Sequence, residues 1–247
     1  MSNNHNSLPT PQDIQESVSH SVAPTKIRHR RAYLIFIYIT ITTTLFGILS
    51  FFAKSLPYFS FDLPITLTIQ SINSPPISFI LHTISFPGYS PQIAIITSII
   101  LLMFFLSGFK FESLTATANA IITSATGVLL KNLIHRSRPP IELVQVAKHL
   151  PDFSFPSGHV LFYTSFFGFI FFLVFVLFKK SLLQFLALIL LALLILLIAP
   201  SRIFLGQHWA SDTIGSYLLG SVLLLITIVF YNWGKNRYLI RQPIAPH

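Results

Sequence analysis

Ser201-Arg202-Ile203-Phe204-Leu205-Gly206-Gln207-His208-Trp209-Ala210-Ser211-Asp212 closes one long apolar run and opens another. Ionisable groups at the mouths of apolar helices are costly there and are usually functional. If the chain is helical from about His208, Asp212 falls one turn on, on the same face. A carboxylate beside an imidazole fixes its tautomer and orientation. The other ring nitrogen is then free to attack or to move a proton. Arg202 adds a permanent planar cation, a shape suited to phosphate. The plainer alternative is a water-facing helix start with a capping Asp212.

Composition places these residues in a membrane protein. The 247 residues are 53% hydrophobic and 9% charged, with a mean hydropathy of +0.71. The apolar runs are too long for a globular core. Cysteine is absent, which excludes disulfides and thiolate catalysis. The net charge of +9 does not point to nucleic acid, because the basic residues sit at the ends of apolar runs.

Residues 1–25 are rich in Ser, Asn, Pro, Gln and His and are expected to be a disordered cytoplasmic tail. Residues 26–241 read as one membrane domain, and 242–247 as a C-terminal tail. Lys26, Arg28, Arg30 and Arg31 precede a first span, about Tyr33 to Ala53. Two short apolar pieces, about Ile65 to Ile72 and Ile77 to Phe86, are split by Pro75-Pro76 and predict an interfacial segment. Further spans follow at about Gln92 to Phe109, Leu114 to Ile134, His159 to Phe178, Leu182 to Ala199 and Ser211 to Trp233. Lys110 and Glu112 are expected in a cytoplasmic turn, Pro200 is expected to end its helix, and Asn119 to bond a neighbouring helix. The predicted class is all-α, a polytopic bundle of six transmembrane helices. Ten of the sixteen Lys and Arg are then cytoplasmic. Lys54, Lys131, Arg136, Arg138, Lys148 and Arg202 are left outside.

Two other stretches fall on that outer side. One is Lys131-Asn-Leu-Ile-His-Arg-Ser-Arg138-Pro139. The other is Pro156-Ser157-Gly158-His159, a glycine-bearing helix start whose N–H groups suit an anion. Three cations and two histidines with one well-placed acid favour an anionic ligand over a metal.

These residues resemble the type 2 phosphatidic acid phosphatase family, integral membrane lipid phosphatases related to bacterial acid phosphatases and vanadium haloperoxidases. The family's motifs are matched by Lys131, Arg138 and Pro139, by Pro156, Ser157, Gly158 and His159, and by Ser201, Arg202, His208 and Asp212. The resemblance implies that His208 attacks phosphorus to form a phosphohistidine, with Asp212 holding its tautomer. It implies that His159 protonates the leaving oxygen and then activates water. Lys131, Arg138, Ser157, Gly158 and Arg202 are implied to hold the phosphate oxygens, with no metal and no cofactor. His135, Arg136, Lys148 and His149 read as loop residues near a headgroup, Asp62 and Asp152 as structural.

The implied partner is a lipid phosphate in the bilayer: undecaprenyl diphosphate, phosphatidylglycerophosphate or phosphatidic acid. The compact form favours a bacterial plasma membrane, with both termini cytoplasmic and the site extracytoplasmic. The alternatives are a lipid phosphotransferase with the same intermediate, and a non-catalytic lipid-phosphate binding or transport protein.

Overall fold

In the computed structural model of the chain, residues 25–72 and 74–241 are described. The expected disordered tail (Thr25 aside) and the C-terminal tail lie outside them. The chain divides into two compact units, residues 1–41 and 42–247. Within the first, residues 25–41 are the opening turns of helix α1, Thr25–Ser55.

The elements that follow, among the described residues, are all helical. They are α2 Asp62–Gln70, α3 Pro75–Ser85, α4 Gln92–Leu106, α5 Lys110–Ile134, α6 Gly158–Leu177, α7 Leu182–Phe204 and α8 Ala210–Arg241. Five helices (α1, α5, α6, α7 and α8) are long and apolar enough to cross a membrane, as the apolar runs predict. The sixth expected span is shorter than anticipated. It ends at Leu106, and with the helical stretch before it, Pro75–Gly88, forms a pair bent by 68° at residues 89–91. Fifteen residues rise only about 22 Å, so α4 alone is short for a bilayer.

The Phe-rich α6 is the central helix, with about two thirds of its apolar window buried. Phe166, Phe169 and Leu173 pack with Ile198 of α7 and Tyr231 of α8. A π turn, Tyr163–Phe167, interrupts it. There Ser165 Oγ accepts from Asn119 Nδ2 at 2.8 Å and Thr123 Oγ1 at 3.0 Å. Asn119 also donates to Thr227 at 2.8 Å. Such polar links replace the hydrophobic drive that lipid does not supply between helices.

Two local expectations are corrected. Lys110 and Glu112 are not in a turn but open α5. Buried Glu112 accepts from Tyr231 at 2.9 Å and Lys235 at 2.5 Å, which pins α5 to α8. Nor does Pro200 end α7. The helix runs on to Phe204, because the proline costs one backbone bond while new tertiary bonds hold the turn beyond it. Ser201 Oγ donates to the Leu81 carbonyl at 2.5 Å, so the Ser85 hydroxyl donates back to Ser201 at 2.7 Å.

Candidate active site

The three motif stretches, far apart in sequence, meet at one end of the bundle. Lys131 closes the last turn of α5, and His135 caps that helix in the left-handed region, φ 57°. Arg138 follows in the loop, His159 stands in the first turn of α6, and Arg202 in the last turn of α7. Between α7 and α8 the chain turns at Gly206, φ 62°. A Cβ there would sit 2.0 Å from the Gln145 carbonyl oxygen, so only glycine brings His208 back over the site.

His208 is buried, and its two nitrogens face different chemistry. Nε2 lies 3.2 Å from Arg138, whose same guanidinium nitrogen donates to the Gln207 carbonyl at 2.5 Å. Nδ1 lies 3.6 Å from Asp212 Oδ2 and 3.5 Å from Ser154 Oγ. Burial, reinforced by Arg138, Lys131 and Arg202, holds the His208 imidazole well below its usual pKa. A neutral ring with the proton on Nδ1 leaves the Nε2 lone pair aimed at the cations.

The 3.6 Å separation from Asp212 is longer than a hydrogen bond. The carboxylate is already occupied. Oδ2 accepts from the Ser154 hydroxyl at 2.5 Å and from the Trp209 N–H at 2.8 Å. The second bond reaches back to cap α8, so the capping half of the alternative holds, but this helix start is buried rather than water-facing. Oδ1 accepts from Arg136 at 2.5 Å.

Arg136 is therefore no loop residue at a headgroup. It is buried between two carboxylates, with Asp62 3.0 Å from its other terminal nitrogen and the Phe59 ring 5.2 Å from its guanidinium carbon. Asp152 is more than structural too. It accepts from Lys131 at 2.8 Å and Arg138 at 2.5 Å, and thus occupies the cations expected to hold phosphate. Burial alone would raise its pKa, but bonds to Lys131 and the nearby Arg138 outweigh this and hold it at about 2.

His159 is buttressed by the bend before α4. Tyr89 stands edge-on to its ring at 5.0 Å. A Cβ on Gly88 would lie 2.1 Å from it, so the bend can approach only as glycine. Arg202 is fully buried; it donates to Ser85 at 3.1 Å and Tyr89 at 3.0 Å, and also to Gln207. Ser157 Oγ and His159 Nε2 are buried with no hydrogen-bond partner among the described residues. Lys148 reaches over the Tyr89 ring and His149 lines the mouth.

Two cavities adjoin the cluster. One, about 390 Å³, runs between α4, α5 and α6, past Ile93, Val128 and Phe162 to Lys131 and His159. The other, about 660 Å³, opens at the mouth beside Arg138, Glu142 and His149. Asp152 lines both.

The sequence missed Asp62, Arg136, Asp152, Gly88 and Tyr89 as contributors. The nearest signal was charge: Arg136 lies within the first motif stretch, Asp152 shortly before the second, and Asp62 is one of only seven acids in the chain.

A model described as the PAP2 superfamily matches residues 110–236. A search of curated proteins gave no match. Among solved structures, the chain is similar to a transmembrane PAP2-type phosphatidylglycerolphosphate phosphatase from Bacillus subtilis. The TM-score is 0.69 at 24% identity, covering 79% of this chain and 96% of that one. It is also similar to Aquifex aeolicus LpxE, with a TM-score of 0.56 at 19% identity, covering 70% of this chain and 98% of that one. Both likenesses concern the fold.

Proposed function

The chain belongs to the PAP2 superfamily, and from that premise we propose that it is a metal-independent membrane lipid phosphatase working through a phosphohistidine. The observation that carries the lipid part is the 390 Å³ cavity, apolar along α4, α5 and α6 and ending at Lys131 and His159. An acyl or prenyl chain fits its apolar length while a phosphate reaches the cations.

In the first step the Nε2 lone pair of His208 attacks phosphorus as the P–O bond to the lipid breaks. The leaving oxygen takes a proton from His159. Lys131, Arg138, Arg202, Ser157 and the Gly158 N–H stabilise the oxygens of the transferring group. In the second step His159 takes a proton from water, the oxygen attacks phosphorus, and the N–P bond breaks to release phosphate. The Nε2 of His159 is buried without a partner among the described residues and so is free to meet the leaving oxygen, and the substrate phosphate beside it favours the imidazolium that gives up the proton. Asp152 must yield its two cations to the substrate, a carboxylate exchanging for a phosphate. Phosphatidic acid, phosphatidylglycerophosphate and undecaprenyl diphosphate are the candidate substrates. The distribution of Lys and Arg supports an extracytoplasmic site with cytoplasmic termini.

The test is phosphate release by the purified protein in detergent from those three lipids, with EDTA present. Release that survives EDTA, is blocked by vanadate and vanishes in His208→Ala is expected. Release that needs an added divalent metal, or persists in His208→Ala, overturns the proposal. Phosphate appearing on an added lipid acceptor instead of in solution would make the protein a phosphotransferase.

A further inference from the structure

We propose that Arg136 and Asp62 are positioning residues for the nucleophile, acting through Asp212. The inference rests on His208 being the attacking group.

Arg136, Asp62 and Asp212 are each at most 2% exposed and form one ion cluster. One terminal nitrogen of Arg136 donates to Asp212 Oδ1 at 2.5 Å and to Ser211 Oγ at 2.7 Å, and the other meets Asp62 at 3.0 Å. Asp62 in turn accepts from the Ser211 N–H at 2.8 Å, the Ser211 hydroxyl at 2.7 Å and the Phe59 N–H at 2.8 Å. The start of α8 is thus clamped from α2, a helix outside residues 110–236.

The geometry matters for His208. With Oδ1 taken by Arg136, only Oδ2 faces the imidazole, and its direction is set by the Ser154 and Trp209 donors. Ser154 is itself tied to Arg136, donating its N–H to the Arg136 carbonyl at 2.8 Å. One arginine therefore governs both oxygens, one through its side chain and one through its backbone. A buried ion cluster adds little net stability over apolar packing, so its worth lies in fixing a geometry.

Charge gives a readout that a purely structural role would not move. The cluster carries two carboxylates and one guanidinium, a net −1. The charged groups around His208 are Lys131, Arg138, Asp152, Arg202 and Asp212, with His159 also near. Asp62→Asn makes the cluster neutral and disfavours the imidazolium, so the acid limb of kcat/KM moves to lower pH. Arg136→Gln makes it −2 and moves the limb to higher pH. The substrate's own titration is common to all variants and cancels.

The experiment measures pH profiles of wild type, Asp62→Asn, Arg136→Gln and His208→Ala on the lipid that wild type hydrolyses fastest. Size exclusion and melting temperature in detergent monitor folding. Expected are acid limbs displaced in opposite directions and a kcat loss on the order of 10²-fold in Arg136→Gln, with KM within about threefold of wild type. Asp62→Asn is nearly isosteric and carries the test alone if Arg136→Gln does not fold. Folded variants with wild-type kcat and unmoved limbs, or limbs that move together, overturn the inference while His208→Ala stays inactive. Activity in His208→Ala overturns the nucleophile assignment, and this inference with it.

Discussion

Arg136 and Arg138 are two residues apart and each is paired with aspartate, yet they inhabit different electrostatic worlds. The Arg136 cluster is closed: its side chain is 1% exposed, and those of Asp62 and Asp212 are 0%. The Arg138 cluster is open: Arg138 and Lys131 are each 12% exposed and Asp152 is 52%. A closed cluster cannot trade partners without leaving a charge stranded in a dry interior. An open one exchanges its carboxylate for another anion at little cost. On the proposed reading, the same pairing serves as a clamp in one place and as a replaceable plug in the other.

The largest effect should come from emptying the open cluster of its cations. Arg138→Ala should lower kcat/KM on the order of 10²- to 10³-fold with the fold retained, measured by lipid turnover and melting temperature. An equal loss of folding would show that this cluster is a clamp as well. A smaller effect of opposite sign is expected from Asp152→Asn. With the resident carboxylate neutralised, inhibition by vanadate should tighten several-fold, on the scale of one partly exposed ion pair. Weaker vanadate binding would mean that Asp152 organises Lys131 and Arg138 rather than competing for them.

The smallest effect is on acid stability. The folded pKa of Asp152 is depressed from 3.8 to about 2, so its pairing stabilises the protein fully above about 3.8 and is lost as pH falls through about 2. Half exposure makes this a slight effect. The melting temperature of wild type relative to Asp152→Asn should therefore be flat from neutral pH to about 5 and converge below about 3. A difference that grew on acidification would reverse the sign of this account.

Much of this was legible in the sequence, for identifiable reasons. Long apolar runs announce spans because lipid demands a helix with an apolar surface. The motif residues are legible because their spacing is fixed by helix ends close in sequence, Lys131 to Arg138 and Arg202 to Asp212. The supports are not, because each is a single residue whose partner is distant. Asp62 meets a residue 149 positions away, and Arg136 one 76 positions away. Locally, Arg136 is one more charge in a polar loop and Gly88 one more glycine after proline. Pro200 misleads for the same reason: the bonds from Ser201 to α3, across 116 and 120 positions, carry the helix past it.

The most direct measurement is a rapid-quench reaction with lipid labelled in its reacting phosphate, followed by peptide mapping. The account predicts transient label that is stable to alkali, labile to acid, confined to the peptide holding His208 and missing from His208→Ala. Label on another residue, or turnover with no labelled protein at any time within a single turnover, would contradict it.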